Sequence, residues 1–137
     1  MKGLNIIAVF NKEHTRVLMC YRRKDPYKGK YNFVGGKIKE GEDSLSAAYR
    51  ELQDETGLTS ADITLKHFMD FSYYHYGLKL ELYVGRLDKD MPVYGEENEL
   101  FWIPLTENFF DTVRFAWECN IGHMITVIEM EKDKIFA

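Results

Sequence analysis

The sequence predicts an α/β domain, on three observations. Leu78, Leu80, Leu82 and Val84 alternate with the period of two that a half-buried strand requires. Leu45, Ala48 and Leu52 recur at i, i+3 and i+7, and Ile121, Met124, Ile125 and Ile128 also follow helical spacing, so two segments carry the apolar stripe of a packed helix. The 137 residues contain no internal repeat and no linker rich in Pro, Gly or Ser, so residues 1–137 read as a single domain large enough for its own core.

Taken in order, Leu4 to Phe10 and Arg16 to Arg22 read as strands joined as a hairpin by a turn at Asn11-Lys12-Glu13-His14. Tyr31 to Val34 is a short extended piece that enters Gly35-Gly36, expected as a loop in which glycine allows close approach of the backbone. A helix follows from Ser44 to Thr56, with Asp43 or Ser44 as its N-cap and Gly57 as a left-handed stop. Ile63 to Tyr74 and Leu78 to Leu87 are strands around a turn at His75 to Gly77, and Leu100 to Ile103 is a strand stopped by Pro104. The closing helix runs from about Asn120 to Lys132 and packs on the sheet. Strands with helices on both sides form an α/β/α layered domain.

Composition narrows the function classes. Hydrophobic residues at 45% and charged residues at 29% are ordinary for a soluble globular chain, and a net charge of −4 argues against a non-specific nucleic-acid binder. Cys20 and Cys119 belong to no C-x-x-C pair, nowhere do 18 apolar residues run together, and a cytoplasmic location without membrane contact is the expectation. His14, His67, His75 and His123 have no ligand spacing and read as structural or exposed. The charge is uneven: Arg22, Arg23, Lys24, Lys28, Lys30, Lys37 and Lys39 are joined only by Asp25 between positions 22 and 39. This cationic strip, with Arg22, Gly35 and Lys37 as candidate substrate contacts, directly precedes an acidic helix.

That helix carries the informative pattern. Gly36, Glu42, Arg50, Glu51, Leu52, Asp54, Glu55, Gly57 and Leu58 fall at the spacing G-x5-E-x7-R-E-Φ-x-[DE]-E-x-G-Φ, with Φ apolar. Chance would produce it less than about once in a million sequences at ordinary residue frequencies. With about 100° of turn per residue, Glu51, Asp54 and Glu55 share an arc of roughly 100°. Like charges so placed repel unless a cation joins them, and clustered carboxylate oxygens suit Mg²⁺ or Mn²⁺, which bind carboxylates together with substrate phosphates. Arg50 reads as an organiser whose planar fork fixes a carboxylate through two hydrogen bonds.

The pattern from Gly36 to Leu58 is the signature of the Nudix hydrolases, and the resemblance extends over roughly residues 4 to 105. Arg16-Val17-Leu18, Arg22-Arg23-Lys24 and Gly29-Lys30-Tyr31-Asn32-Phe33-Val34-Gly35-Gly36-Lys37 look like the corresponding stretches of MutT-type members that clear oxidised purine nucleoside triphosphates. The resemblance implies a Nudix-type α/β/α sandwich with a mixed central β-sheet. It also implies a metal held by the Gly36 carbonyl, Glu51 and Glu55. Asp54 stands where the family usually has glutamate and is one methylene shorter. An acidic residue from a later loop is expected too, for which Glu97 in Gly95-Glu96-Glu97-Asn98-Glu99 is the candidate. Asn32 resembles the residue that reads a purine edge, and Trp117 falls where the subgroup places a stacking Trp, although Arg114-Phe115-Ala116-Trp117-Glu118 departs from the subgroup's pattern. Tyr31, Phe33, Tyr73 and Tyr74 are further candidates for a base-stacking wall.

The implied reaction is hydrolysis of a diphosphate linkage in a small nucleotide, giving a monophosphate and pyrophosphate from a triphosphate, with Asp54, Glu55 or Glu97 as general base. Three readings compete: a MutT-like nucleoside triphosphate pyrophosphohydrolase (8-oxo-dGTP type), a hydrolase of ADP-ribose or dinucleoside polyphosphates, and a non-catalytic nucleotide sensor. Family members often form homodimers, so a second copy is an expected partner.

Overall fold

Alternate side chains of the first strand feed two different cores, which is what places a helix on each face of the sheet. A computed structural model describes residues 1–137. In β1 (Lys2–Phe10), Ile6, Ala8 and Phe10 join a core completed by α2 (Asn120–Ile135) through Ile121, Met124, Ile125 and Ile128. Ile7 and Val9 point the other way, into a core completed by Ala48 and Leu52 of α1 (Ser44–Thr56). Burying a large aliphatic side chain of this kind contributes about 1.5–3 kcal/mol.

The other strands are β2 (Arg16–Tyr21), β3 (Tyr31–Lys37), β4 (Lys66–Tyr73), β5 (Leu78–Arg86) and β6 (Glu99–Pro104), in the spatial order β4-β5-β1-β3-β2-β6. Only β1 and β5 are parallel, so the sheet is mixed, as the resemblance implied. A single 3-10 turn, Tyr74–Tyr76, and left-handed Gly77 close the β4–β5 hairpin.

Five expectations need correction. The β1–β2 hairpin is splayed: only Phe10 and Val17 pair, and β3 runs between the two strands. The Asn11 side chain accepts from the N–H groups of Thr15 and Arg16, which satisfies the turn and lets the strands diverge beyond it. Gly35 and Gly36 lie within β3, opposite Ile6 and Asn5, and not in a loop. Ile63 precedes β4 as a buried loop residue. Leu45 is exposed, and the buried positions of α1 are Ala47, Ala48, Leu52 and Thr56. The closing helix also continues past Lys132 to Ile135, which is buried. No helix is long and apolar enough to cross a membrane.

Candidate active site

The ends of α1 are fixed by its own sequence. Asp43 accepts from the Ser46 N–H at 3.0 Å, and Gly57, with φ of 81°, returns its N–H to the Gln53 carbonyl. Between them the helix sets its acidic residues against β3. The Gly35 N–H donates to Glu55 Oε2 at 3.2 Å, and the Gly36 N–H donates to Asn5 Oδ1 at 2.9 Å. A Cβ on Gly36 would collide with the Glu51 carboxylate, and a Cβ on Gly35 would collide with the Asn5 carbonyl. The diglycine is therefore needed for close approach of strand and helix, and Gly35, with φ of 143°, adopts backbone that disfavours a side chain.

Arg50 spans the acidic residues. Its Nε and one terminal nitrogen reach the two oxygens of Glu42 at 2.8 and 2.9 Å, the fork-to-carboxylate pairing expected of it. The other terminal nitrogen donates to Glu51 Oε1 at 2.9 Å and lies 3.7 Å from Asp54 Oδ2, while the Lys37 carbonyl accepts at 3.0 Å. The pairing holds the Glu42 carboxyl down at about 2, through the Arg50 hydrogen bonds and then the Lys39 N–H. It raises the affinity of Arg50 for its own proton.

Glu51, Asp54 and Glu55 line one pocket of about 250 Å³ together with Glu96, Glu97, Asn98, Cys20 and Leu100. Glu97, separated from the helix in sequence by β4 and β5, thus converges on the same space. Asp54 stays at the rim with 62% of its side chain exposed, against 16% for Glu51. Glu55 is the most perturbed of these groups. Burial pushes its carboxyl up to about 7, helped by Glu51 and Glu97, while the Gly35 N–H and Arg22 pull the other way. Cys20 lies beside it, and burial followed by the charge of Glu55 pushes its thiol up to about 12, which makes it an inert wall and not a nucleophile.

This donor set fits a divalent cation. Glu51, Glu55 and Glu97 are convergent oxygen donors, the only cation bonded to the group is the outer Arg50, and repulsion from Glu51 and Glu97 adds to burial in raising the pKa of the innermost carboxyl.

A second cleft of about 420 Å³ meets the first at Glu55 and Cys20. Arg22, Asn32, Gly35, Gly36, Lys37 and Trp117 all line it. Trp117 is 93% buried, lying between Tyr27 and Tyr73 at centroid distances of 5.0 and 5.6 Å, and its indole N–H donates to Asn32 Oδ1 at 3.1 Å. Of the other aromatics considered for a stacking wall, Phe33 is core, Tyr31 packs partly against that core and Tyr74 is exposed. The cationic strip is partly spent elsewhere: Arg23 pairs with Glu99, and Lys30 donates to the Thr112 carbonyl.

Sequence reasoning missed Asn5, which positions Gly36, and Cys20 and Tyr27, which line the two clefts, while Glu96 and Asn98 belong to the acidic segment from which Glu97 was chosen. Asn5 had a signal, being the one polar residue between Leu4 and Phe10. The others owe their place to the order of strands and carried no local mark.

Comparison with known proteins agrees with this architecture. Over 75 residues the chain is 32% identical to the 8-oxo-dGTP diphosphatase of Escherichia coli strain K12, a match covering 53% of this chain and 58% of that protein. The chain thus spans little more than half the length of that relative. Among solved structures, it resembles MutT from a study of Aliivibrio salmonicida and Vibrio cholerae (TM-score 0.69, 20% identity, 93% of this chain and 95% of the other). It also resembles a C. elegans Ap4A hydrolase (TM-score 0.73, 15% identity, 95% and 98% coverage). At such identities these structures support the fold alone. The NUDIX domain family model matches residues 1–118, and the chain belongs to that family.

Proposed function

We propose that this Nudix domain is a metal-dependent pyrophosphohydrolase of small nucleotides, and that its preferred substrate is an oxidised purine nucleoside triphosphate, cleaved to the monophosphate and pyrophosphate. The observation that carries this reading is the junction at Glu55, where a pocket of carboxylates opens into a cleft lined by Arg22, Lys37, Asn32 and Trp117. One end suits a metal and phosphates, and the other offers a base the Asn32 amide, held by the indole N–H of Trp117.

Mg²⁺ or Mn²⁺, held by Glu51, Glu55, Glu97 and the Gly36 carbonyl with Asp54 at the rim, would supply positive charge to the phosphate oxygens and acidify the attacking water. Arg50 holds Glu51 in orientation and is itself fixed by Glu42. Arg22 and Lys37 meet the phosphate chain. Glu55, which stands where the two clefts meet, accepts the proton of the attacking water. Asn32 contacts the base. The partial likeness to an 8-oxo-dGTP diphosphatase supports this choice of substrate.

A Mg²⁺-dependent assay for pyrophosphate and phosphate release over a panel of nucleotides, with Glu55→Gln as control, tests the proposal. Highest kcat/KM on oxidised dGTP, and a loss of about 10²–10⁴ in Glu55→Gln, are expected. Preference for ADP-ribose or a dinucleoside polyphosphate would replace the substrate, and binding without turnover on any compound would make the domain a sensor.

A further inference from the structure

On the β4–β5 pair, beside the start of α1, a bulge brings together three side chains that a regular strand would separate. Residues three apart on a strand point to opposite faces. The register of β4 against β5 shifts between His67 and Met69, so His67 and Asp70 stand on the same face, opposite Tyr83 and Glu81. His67 Nε2 lies 2.5 Å from Asp70 Oδ1, and one ligand atom from each of His67, Asp70 and Glu81 falls within 4.8 Å of the others.

We propose that His67, Asp70 and Glu81 form a second metal site, distinct from the carboxylate pocket, for a borderline divalent ion of the Zn²⁺ class. An imidazole with two carboxylates favours Zn²⁺ over Mg²⁺, which binds almost wholly through oxygen. The donors require only small adjustment, because ligand atoms around a tetrahedral ion with bonds of about 2.1 Å lie roughly 3.4 Å apart.

Two further observations point to a cation. Asp70 and Glu81 are directly opposed in the antiparallel pair, a like-charge arrangement offset only by the half-exposed Lys79 and by His67 on the Asp70 side, and Glu81 is 92% buried. The pair is also built as ligands are built. The Tyr83 hydroxyl donates to Glu81 Oε1 at 3.0 Å and the Ser44 hydroxyl to Oε2 at 3.3 Å, which orients that carboxylate, and the His67 ring stacks on Tyr83 at 4.8 Å. Lys79, 3.6 Å from Asp70 Oδ2, is half exposed and swings to solvent when a metal takes its place.

The site is independent of the hydrolase reading, so the two can fail separately. Zn²⁺ is titrated calorimetrically into tag-free full-length protein, the Glu51→Gln/Glu55→Gln variant and a variant that adds His67→Gln and Asp70→Asn. Co²⁺ absorption serves as a second readout. One equivalent of Zn²⁺ persists in the first variant, with Co²⁺ bands that report an imidazole ligand, and affinity falls at least about tenfold in the second. His67 and Asp70 are exposed, so circular dichroism should show that fold unchanged. Absence of stoichiometric Zn²⁺ in the first variant, or its retention in the second, overturns the proposal.

Discussion

Glu55 faces opposing demands, and pH separates them. Its carboxyl is raised from 4.5 to about 7, so the metal-free folded chain holds that proton more tightly than the unfolded chain does. The resulting stabilisation is fully present below about pH 4.5 and is lost as pH rises through about 7. The melting temperature of metal-free protein should therefore fall across that window, and the fall should be smaller in Glu55→Gln. Metal affinity runs the other way, because the proton competes with the ion: with a pKa of about 7, Mn²⁺ should bind about tenfold more tightly at pH 8 than at pH 6. Titrations at the two pH values check this, and equal affinities would remove Glu55 from the ligand set. At Arg50 the relevant property is shape. Lysine keeps the charge but cannot span both oxygens of Glu42 while reaching Glu51, so Arg50→Lys should lower kcat at least about tenfold with little change in the fold, measured by steady-state kinetics and circular dichroism.

For the element that carries these groups, the sequence was legible to within one residue at the start, where Asp43 and Ser44 both qualified as the cap, and to the residue at the end. Asp43 caps α1 and Gly57 stops it because short-range chemistry decides helix termini. Asp43→Ala should cost about 1 kcal/mol in urea denaturation, with the carboxylates still in place. The inner face was less legible. Leu45 shares the angular sector of Leu52 yet is exposed, since spacing gives the side of a helix a residue occupies and not whether anything stands opposite it. The diglycine differs from the expected loop for a related reason: glycine signals close approach of the backbone, but nothing local reveals that the neighbour is Glu51 or that β3 continues through it. Gly36→Ala should displace Glu51 and abolish metal-dependent turnover, with retained secondary structure as the control.

At the scale of the molecule, the site depends on pairings between distant segments. The insertion of β3 between β1 and β2 brings Asn32 and Gly35 beside Asn5 and Cys20, and the segment before α2 returns Trp117 to the Asn32 amide. No local pattern encodes that order, so the two clefts and their junction could not be read from periodicity, although the charged and amide residues at their centre, Glu51, Glu55, Arg22 and Asn32, had been singled out by type. Division of the site into two clefts has a kinetic consequence. If Asn32 contacts the base with its amide held by Trp117, then Trp117→Phe keeps the ring, removes the N–H and frees the amide to rotate. Selectivity between oxidised and unmodified dGTP should fall several-fold, chiefly through KM, while kcat and Mn²⁺ affinity stay near those of the parent because Glu51, Glu55 and Glu97 are untouched. Steady-state kinetics on both nucleotides and a metal titration measure these separately. A fall in kcat with unchanged KM would mean that Trp117 acts on the carboxylate pocket through the fold, and that the base lies elsewhere.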